Sequence, residues 1–142
     1  MEHPHTNIES EVARPAFLEM MKGHVVDVDP VAKSCSMTFE LGREFCHSVD
    51  IVQGGFVTAM LDATMSHAVF TCNPDIINVA TLEIKVSFFE PSRAGTFRCR
   101  GVLRKCGRST GFMDGELFDE TGLLLATATT TAKLIRAKPQ TG

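Results

Sequence analysis

The sequence predicts an α+β fold in which an antiparallel sheet curls around one long central helix. Three observations predict it. Residues 53–70, QGGFVTAMLDATMSHAVF, form one apolar stretch long enough for a buried helix. Segments of alternating apolar and polar residues lie on both sides of it, as half-buried strands require. The order is short helix, two strands, long helix, then three or four strands, and a sheet with the helix on one face is the simplest way to cover that helix.

Taken in chain order, residues 8–23 (IESEVARPAFLEMMKG) suit a short amphipathic helix broken around Pro15 and closed by Gly23. Residues 25–30 lead into a turn. From Cys35 the chain alternates, with Cys35, Met37, Phe39 and Leu41 on one side and Ser36, Thr38 and Glu40 on the other, a strand that pairs with 25–28 as a hairpin. Residues 42–52 read as a polar loop. The long helix follows, about 17 residues or roughly 25 Å, apolar over most of its circumference and so expected to be covered nearly all round. Asn73-Pro74-Asp75 ends it. TLEIKVSFF (81–89) places Leu82, Ile84, Val86 and Phe88 inward and Thr81, Glu83, Lys85 and Ser87 outward. After a turn at Pro91–Gly95, TFRCRGVLRKC (96–106) sets Phe97, Cys99, Gly101 and Leu103 against Arg98, Arg100 and Arg104. STGFMDGELF, the turn at 119–122 and LLLATATTTAKLI complete a hairpin. This divides the chain into a tail and short helix over 1–22, a single domain over 23–138 and a tail over 139–142.

The composition excludes several function classes. A chain of 142 residues, 44% hydrophobic and 22% charged, has the profile of one globular domain. Its net charge of −3 argues against general affinity for nucleic acid or anionic membranes. No apolar run approaches the ~20 residues of a bilayer span, and MEHPHTNIESEVARP has no secretion-signal pattern. The five cysteines contain no C-x-x-C pair, so neither a disulfide framework nor a zinc site is expected; that usage fits a reducing cytosol.

One residue interrupts the long helix. Asp62 is a carboxylate among apolar neighbours, and burying such a charge unpartnered costs several kcal/mol. Thr58 and Ser66, four residues to either side, share its narrow polar stripe with Gly55. Either those hydroxyls cap the acid, or it faces the surface, for which the apolar neighbours leave little room, or it has a task. The N–H groups of Gly54 and Gly55 open the helix without intrahelical partners, and glycine lets a ligand come close to the backbone. Such an amide can stabilise an oxyanion, and Asp62 can act as general base or nucleophile; together they suit hydrolysis of an ester or thioester. Eight residues separate Gly54 from Asp62, about 12 Å along a helix. A reacting carbonyl cannot reach both within one chain, so two antiparallel helices across a two-fold axis are required, with sites at a homodimer interface.

The stretch VQGGFVTAMLDA resembles the H-G-G-x-x-x-x-x-x-D signature of the hot-dog fold thioesterases, in particular the phenylacetate-pathway type of acyl-CoA thioesterase. NVATLEIKVSFFEPSRAG is similar to that family's strand ending in a proline turn, and RKCGRST to its basic K-x-G-R segment; the resemblance spans residues 40–135. It implies a hot-dog fold and hydrolysis of an acyl-CoA to acid and coenzyme A. Asp62 then matches the catalytic carboxylate, Gly54 the glycine whose N–H polarises the carbonyl, and Thr81 a Ser/Thr that holds water or substrate. Gln53 stands where the family has His, and His47 where it has Asn or Gln; both become positioning residues. Phe56, Met60 and Met65 would line a hydrophobic or aromatic acyl pocket, Ser66 could line the site one turn on, and Lys105 and Arg108 would meet the phosphates of coenzyme A. No metal or separate cofactor is implied, and pairing of dimers into a tetramer is the expected further assembly. A non-catalytic acyl-CoA sensor is the alternative from another class, and a 3-hydroxyacyl thioester dehydratase using His47 is a third.

Overall fold

The structure, a computed structural model, describes residues 14–138. Helix α1 (Ala16–Met20) starts directly after Pro15; the part of the expected first helix before residue 14 lies outside the described residues. Its end departs from the sequence reading. Lys22, at φ 50°, takes the left-handed position, while the Gly23 N–H reaches back to the Leu18 carbonyl at 2.8 Å. Glycine serves packing at 23, because a Cβ there would stand 2.7 Å from the Phe39 ring. Leu18 and Met21 join the domain core, both 2% exposed.

Strands β1 (His24–Asp29) and β2 (Ser34–Leu41) form the expected hairpin, with Val25 opposite Met37 and Val28 opposite Cys35. Its turn is fastened by Asp29, whose Oδ1 accepts from the Val31 and Ala32 amides at 3.0 Å. The segment expected to be a loop holds a 3₁₀ turn (Arg43–Phe45) and a ribbon of two short strands, β3 (Cys46–Ser48) and β4 (Ile51–Val52). Helix α2 (Gly54–Cys72) runs for 19 residues, then β5 (Ile76–Phe88), β6 (Gly95–Cys106), β7 (Thr110–Asp119) and β8 (Leu124–Arg136) complete the fold. The main sheet is antiparallel throughout, in the order β1-β2-β6-β7-β8-β5.

A row of small residues explains how the sheet receives α2. Cys35, Gly101, Gly115 and Ala128 are register partners on four successive strands. Under the helix the sheet is therefore nearly bare backbone. A Cβ at Gly101 would stand 2.7 Å from the Thr64 carbonyl oxygen and 2.9 Å from the Met65 Cα, so backbone meets backbone there. Around this contact Met60, Leu61, Met65 and Val69 of the helix are fully buried with Cys99, Leu117 and Ala126 of the sheet. Cover is not complete all round, as the apolar circumference had suggested. Thr58, Ala59, Asp62, Ser66 and Phe70 are only half-buried and Gly55 is exposed, leaving an open stripe on the side away from the sheet.

Beyond the helix exit, Arg136 at the end of β8 donates to the carbonyls of Arg108 (2.9 Å) and Gly107 (3.0 Å) and pairs with Asp75. Beside β8, at the edge of the sheet, β5 carries a bulge. Thr81 pairs with Ala132 and Glu83 with Thr131, leaving Leu82 as the extra residue. No helix among the described residues is long and apolar enough to cross a membrane.

Candidate active site

The bulge decides where Thr81 points. Unbroken alternation from Ile84 and Val86 would put Thr81 on the outer side with Glu83 and Lys85. The extra residue reverses the phase, and the Thr81 hydroxyl donates to Asp62 Oδ1 at 2.7 Å. This corrects the outward placement of Thr81 and the inward placement of Leu82, which is 63% exposed.

Asp62 itself is half-buried on the open stripe, not enclosed. Thr58 does not cap it: the Thr58 hydroxyl donates to the Gly54 carbonyl at 2.9 Å, the usual return to the backbone four residues earlier. Ser66 stands one turn beyond on the same stripe, half-buried. With Oδ1 held by Thr81, Oδ2 is the oxygen left for another group.

The start of α2 is built by Gln53. Its Oε1 accepts from the Gly55 amide at 2.7 Å, a side-chain N-cap, while its Nε2 keeps its donors. The two glycines then have different reasons to be there. A Cβ at Gly55 would stand 2.6 Å from Gln53 Oε1 and destroy the cap. A Cβ at Gly54 would meet only the Phe88 ring, at 3.4 Å, an ordinary contact, and Gly54 does not have positive φ. The fold thus makes no demand for glycine at 54. Its N–H has no acceptor among the described residues. The segment ahead of it is fixed: the Gln53 amide donates to the Phe45 carbonyl at 2.9 Å, the Val52 amide to the Ser92 carbonyl at 2.8 Å, and Arg93 pairs with Asp50 at 2.8 Å.

The remaining candidates divide. Phe56, 36% exposed, packs edge-on against Phe45 with ring centroids 4.9 Å apart, close to the helix start. Met60 and Met65 are fully buried in the core, Met65 against Gly115, so both support the helix and neither lines an accessible pocket. His47 is exposed on β3 and its recorded partner is Ser48, at 3.0 Å from Nδ1; no hydrogen bond joins it to Asp62. Lys105 and Arg108 are exposed at the far end of the fold from Gly54, around the β6–β7 turn that Arg136 fastens to the helix exit. Arg104 is tied to Asp114 at 2.5 Å on the outer sheet surface, as a solvated strand face would have it. Phe88, seated over Gly54, and the clasp of Asp50 on Arg93 escaped the sequence reading, because both depend on contacts between distant segments.

One long helix packed against a six-stranded antiparallel sheet is the architecture of the hot-dog class. Residues 50–126 match the thioesterase superfamily model, and the chain belongs to that family of thioester hydrolases. It is 30% identical over 98 residues to a Saccharolobus solfataricus protein described as an esterase, covering 69% of each chain. A Ralstonia eutropha JMP134 protein, described as a thioesterase related to phenylacetic acid degradation, superposes with a TM-score of 0.82 at 33% identity, over 89% of this chain and 96% of that one. A Streptococcus mutans UA159 protein solved bound to acetyl-CoA shares the fold at 16% identity, with a TM-score of 0.72 over 82% of this chain and 91% of that one.

Proposed function

We propose that this protein is an acyl-CoA thioesterase acting on a hydrophobic or aromatic acyl group, as a homodimer whose two sites are shared across the interface. The observation that carries the proposal is the Asp62 carboxylate, held through one oxygen by Thr81 on the open helix stripe, in a chain of the thioesterase superfamily. The Gly54 amide, without an acceptor among the described residues, is the oxyanion donor. About 12 Å of helix separates it from Asp62 of its own chain, so each site takes Asp62 from one protomer and Gly54 from the other. The exposed β5 edge, with Ile77 and Leu82 uncovered, and the open stripe of α2 are the surfaces that such a partner would cover.

In the reaction, Asp62 Oδ2 takes a proton from water as the water oxygen adds to the thioester carbonyl, or attacks that carbon itself. Negative charge gathers on the carbonyl oxygen, which accepts from Gly54. The C–S bond then breaks. On the water route the acid is released and the coenzyme A sulfur leaves as thiol with the proton Asp62 took. On the direct route the sulfur leaves as thiolate, and water then hydrolyses the Asp62–acyl anhydride to free the acid and the carboxylate. Thr81 orients the carboxylate. Gln53 Nε2 and His47 are positioning groups near the helix start. Lys105 and Arg108 offer charge to phosphates, and the acetyl-CoA bound by the Streptococcus mutans protein supports coenzyme A as the carrier.

The test is free-thiol release from an acyl-CoA panel. Asp62→Asn keeps an acceptor for Thr81 and is expected to lose on the order of 10²–10⁴-fold in kcat. Gly54→Pro removes the donor while respecting the helix: proline suits the first helical position, and Gln53 at ψ 140° already has the conformation that precedes a proline. A loss on the order of 10²–10³-fold is expected. Because the sites are shared, co-expressing the two variants should recover activity in heterodimers, each holding one intact site. A fully active Asp62→Asn protein would overturn the catalytic assignment, and two inactive variants that never complement would overturn the shared site.

A further inference from the structure

We propose that Phe88 sets acyl-group selectivity, its ring forming the wall against which the acyl chain lies when the carbonyl oxygen accepts from Gly54. This rests on the reading of Gly54 as the oxyanion donor. Phe88 ends β5 as a large apolar side chain left 54% exposed. Among the described residues its ring edge is what a side chain at Gly54 would meet: Cζ and Cε1 lie 3.4 and 3.5 Å from the point where a Cβ would sit. Phe88 is thus the side chain packed beside the residue whose N–H meets the carbonyl oxygen, and an acyl group bound there lies alongside it.

The ring's position is held from below. Phe88 pairs with Ala126 across the sheet, and the next two amides, of Phe89 and Glu90, both donate to the Leu125 carbonyl at 2.9 and 3.2 Å. These bonds hold the backbone under the ring in place. A fixed aromatic wall beside the reacting carbonyl favours acyl groups with a flat or branched apolar body over acetyl, since aromatic pairs gain from edge and offset contacts beyond simple area.

The experiment compares kcat/KM for acetyl-CoA, hexanoyl-CoA and phenylacetyl-CoA in wild type, Phe88→Ala, Phe88→Leu and Phe89→Ala. Phe89 is a neighbouring exposed aromatic, 56% accessible, that does not touch Gly54. For Phe88→Ala the phenylacetyl-to-acetyl ratio should fall about tenfold, with Phe88→Leu between it and wild type and Phe89→Ala at the wild-type ratio. Thermal melts confirm that each variant is folded. Equal scaling of all substrates in Phe88→Ala, or an equal ratio change in Phe89→Ala, would overturn the inference while leaving the thioesterase reading intact. Wild-type protein that releases thiol from none of the panel would instead overturn the thioesterase reading itself.

Discussion

Replacing Gly101 by alanine tests how the sheet holds the helix. The new Cβ would stand 2.7 Å from the Thr64 carbonyl oxygen and 2.9 Å from the Met65 Cα. Both belong to helix backbone, which cannot rotate aside as a side chain can, so α2 must lift by several tenths of an ångström or more. Overpacking of this kind costs about 1–3 kcal/mol, and relief of the strand-glycine penalty returns about 0.5–1 kcal/mol, leaving a net loss of about 1 kcal/mol at mid-range. Its register partner is the control. At Gly115 the obstacles are the Met65 Cγ and Sδ and Leu61 Cδ2, at 3.1–3.2 Å, which are flexible side-chain atoms that can move. Gly115→Ala should therefore be close to neutral. Urea unfolding of the three proteins, read as midpoint shifts at constant m, measures the difference. Lifting the helix also draws Asp62 away from Thr81, so Gly101→Ala should lose thioester hydrolysis out of proportion to its stability. A Gly101→Ala protein as stable as wild type, or less damaged than Gly115→Ala, would refute the backbone-on-backbone account.

Thr81→Val removes its hydrogen bond to Asp62 and should lower kcat about tenfold, the equivalent of ~1.5 kcal/mol for a bond to a charged group; an unchanged kcat would deny it a positioning role. Gln53→Ala deletes the cap of α2 and should cost about 1 kcal/mol in denaturant unfolding, and Gly55→Ala should cost a similar amount by displacing the same side chain. Burial pushes the Cys99 thiol from 9.0 up to about 12, with Cys35 and Glu116 adding to it and a hydrogen bond with Thr64 opposing it. The unfolded chain loses that proton first, so stability is full below pH 9 and declines as pH climbs toward 12. Cys99→Ala should flatten that decline, which unfolding midpoints across the range would show.

Much of this architecture was legible because burial leaves period in the sequence. β2 shows it in Cys35, Met37, Phe39 and Leu41, all buried as the alternation requires. The helix was legible too, but the polar stripe read as buried is its uncovered side. What stayed hidden depends on single-residue slips and on distant pairings. Leu82 looks like a regular inward residue, and only the register against β8 shows that it is the extra one, which turns Thr81 toward the acid. The β3–β4 ribbon is too short to display a period. Met60 and Met65 look like pocket residues next to Asp62, but the bare backbone at Gly101 and Gly115 brings the sheet so close that both are sealed. The two glycines ahead of the helix looked equivalent, and only the side chain of Gln53 tells them apart.

The guanidinium of Arg136 joins three parts of the chain that are far apart in sequence: the exit of the long helix at Asp75, the tip at 107–108, and the last residue of the final strand. That residue behaves as a latch. A chain trimmed after residue 135 would loosen in all three places together, so limited proteolysis should find new cuts at 73–75 and at 107–109, not merely a frayed end.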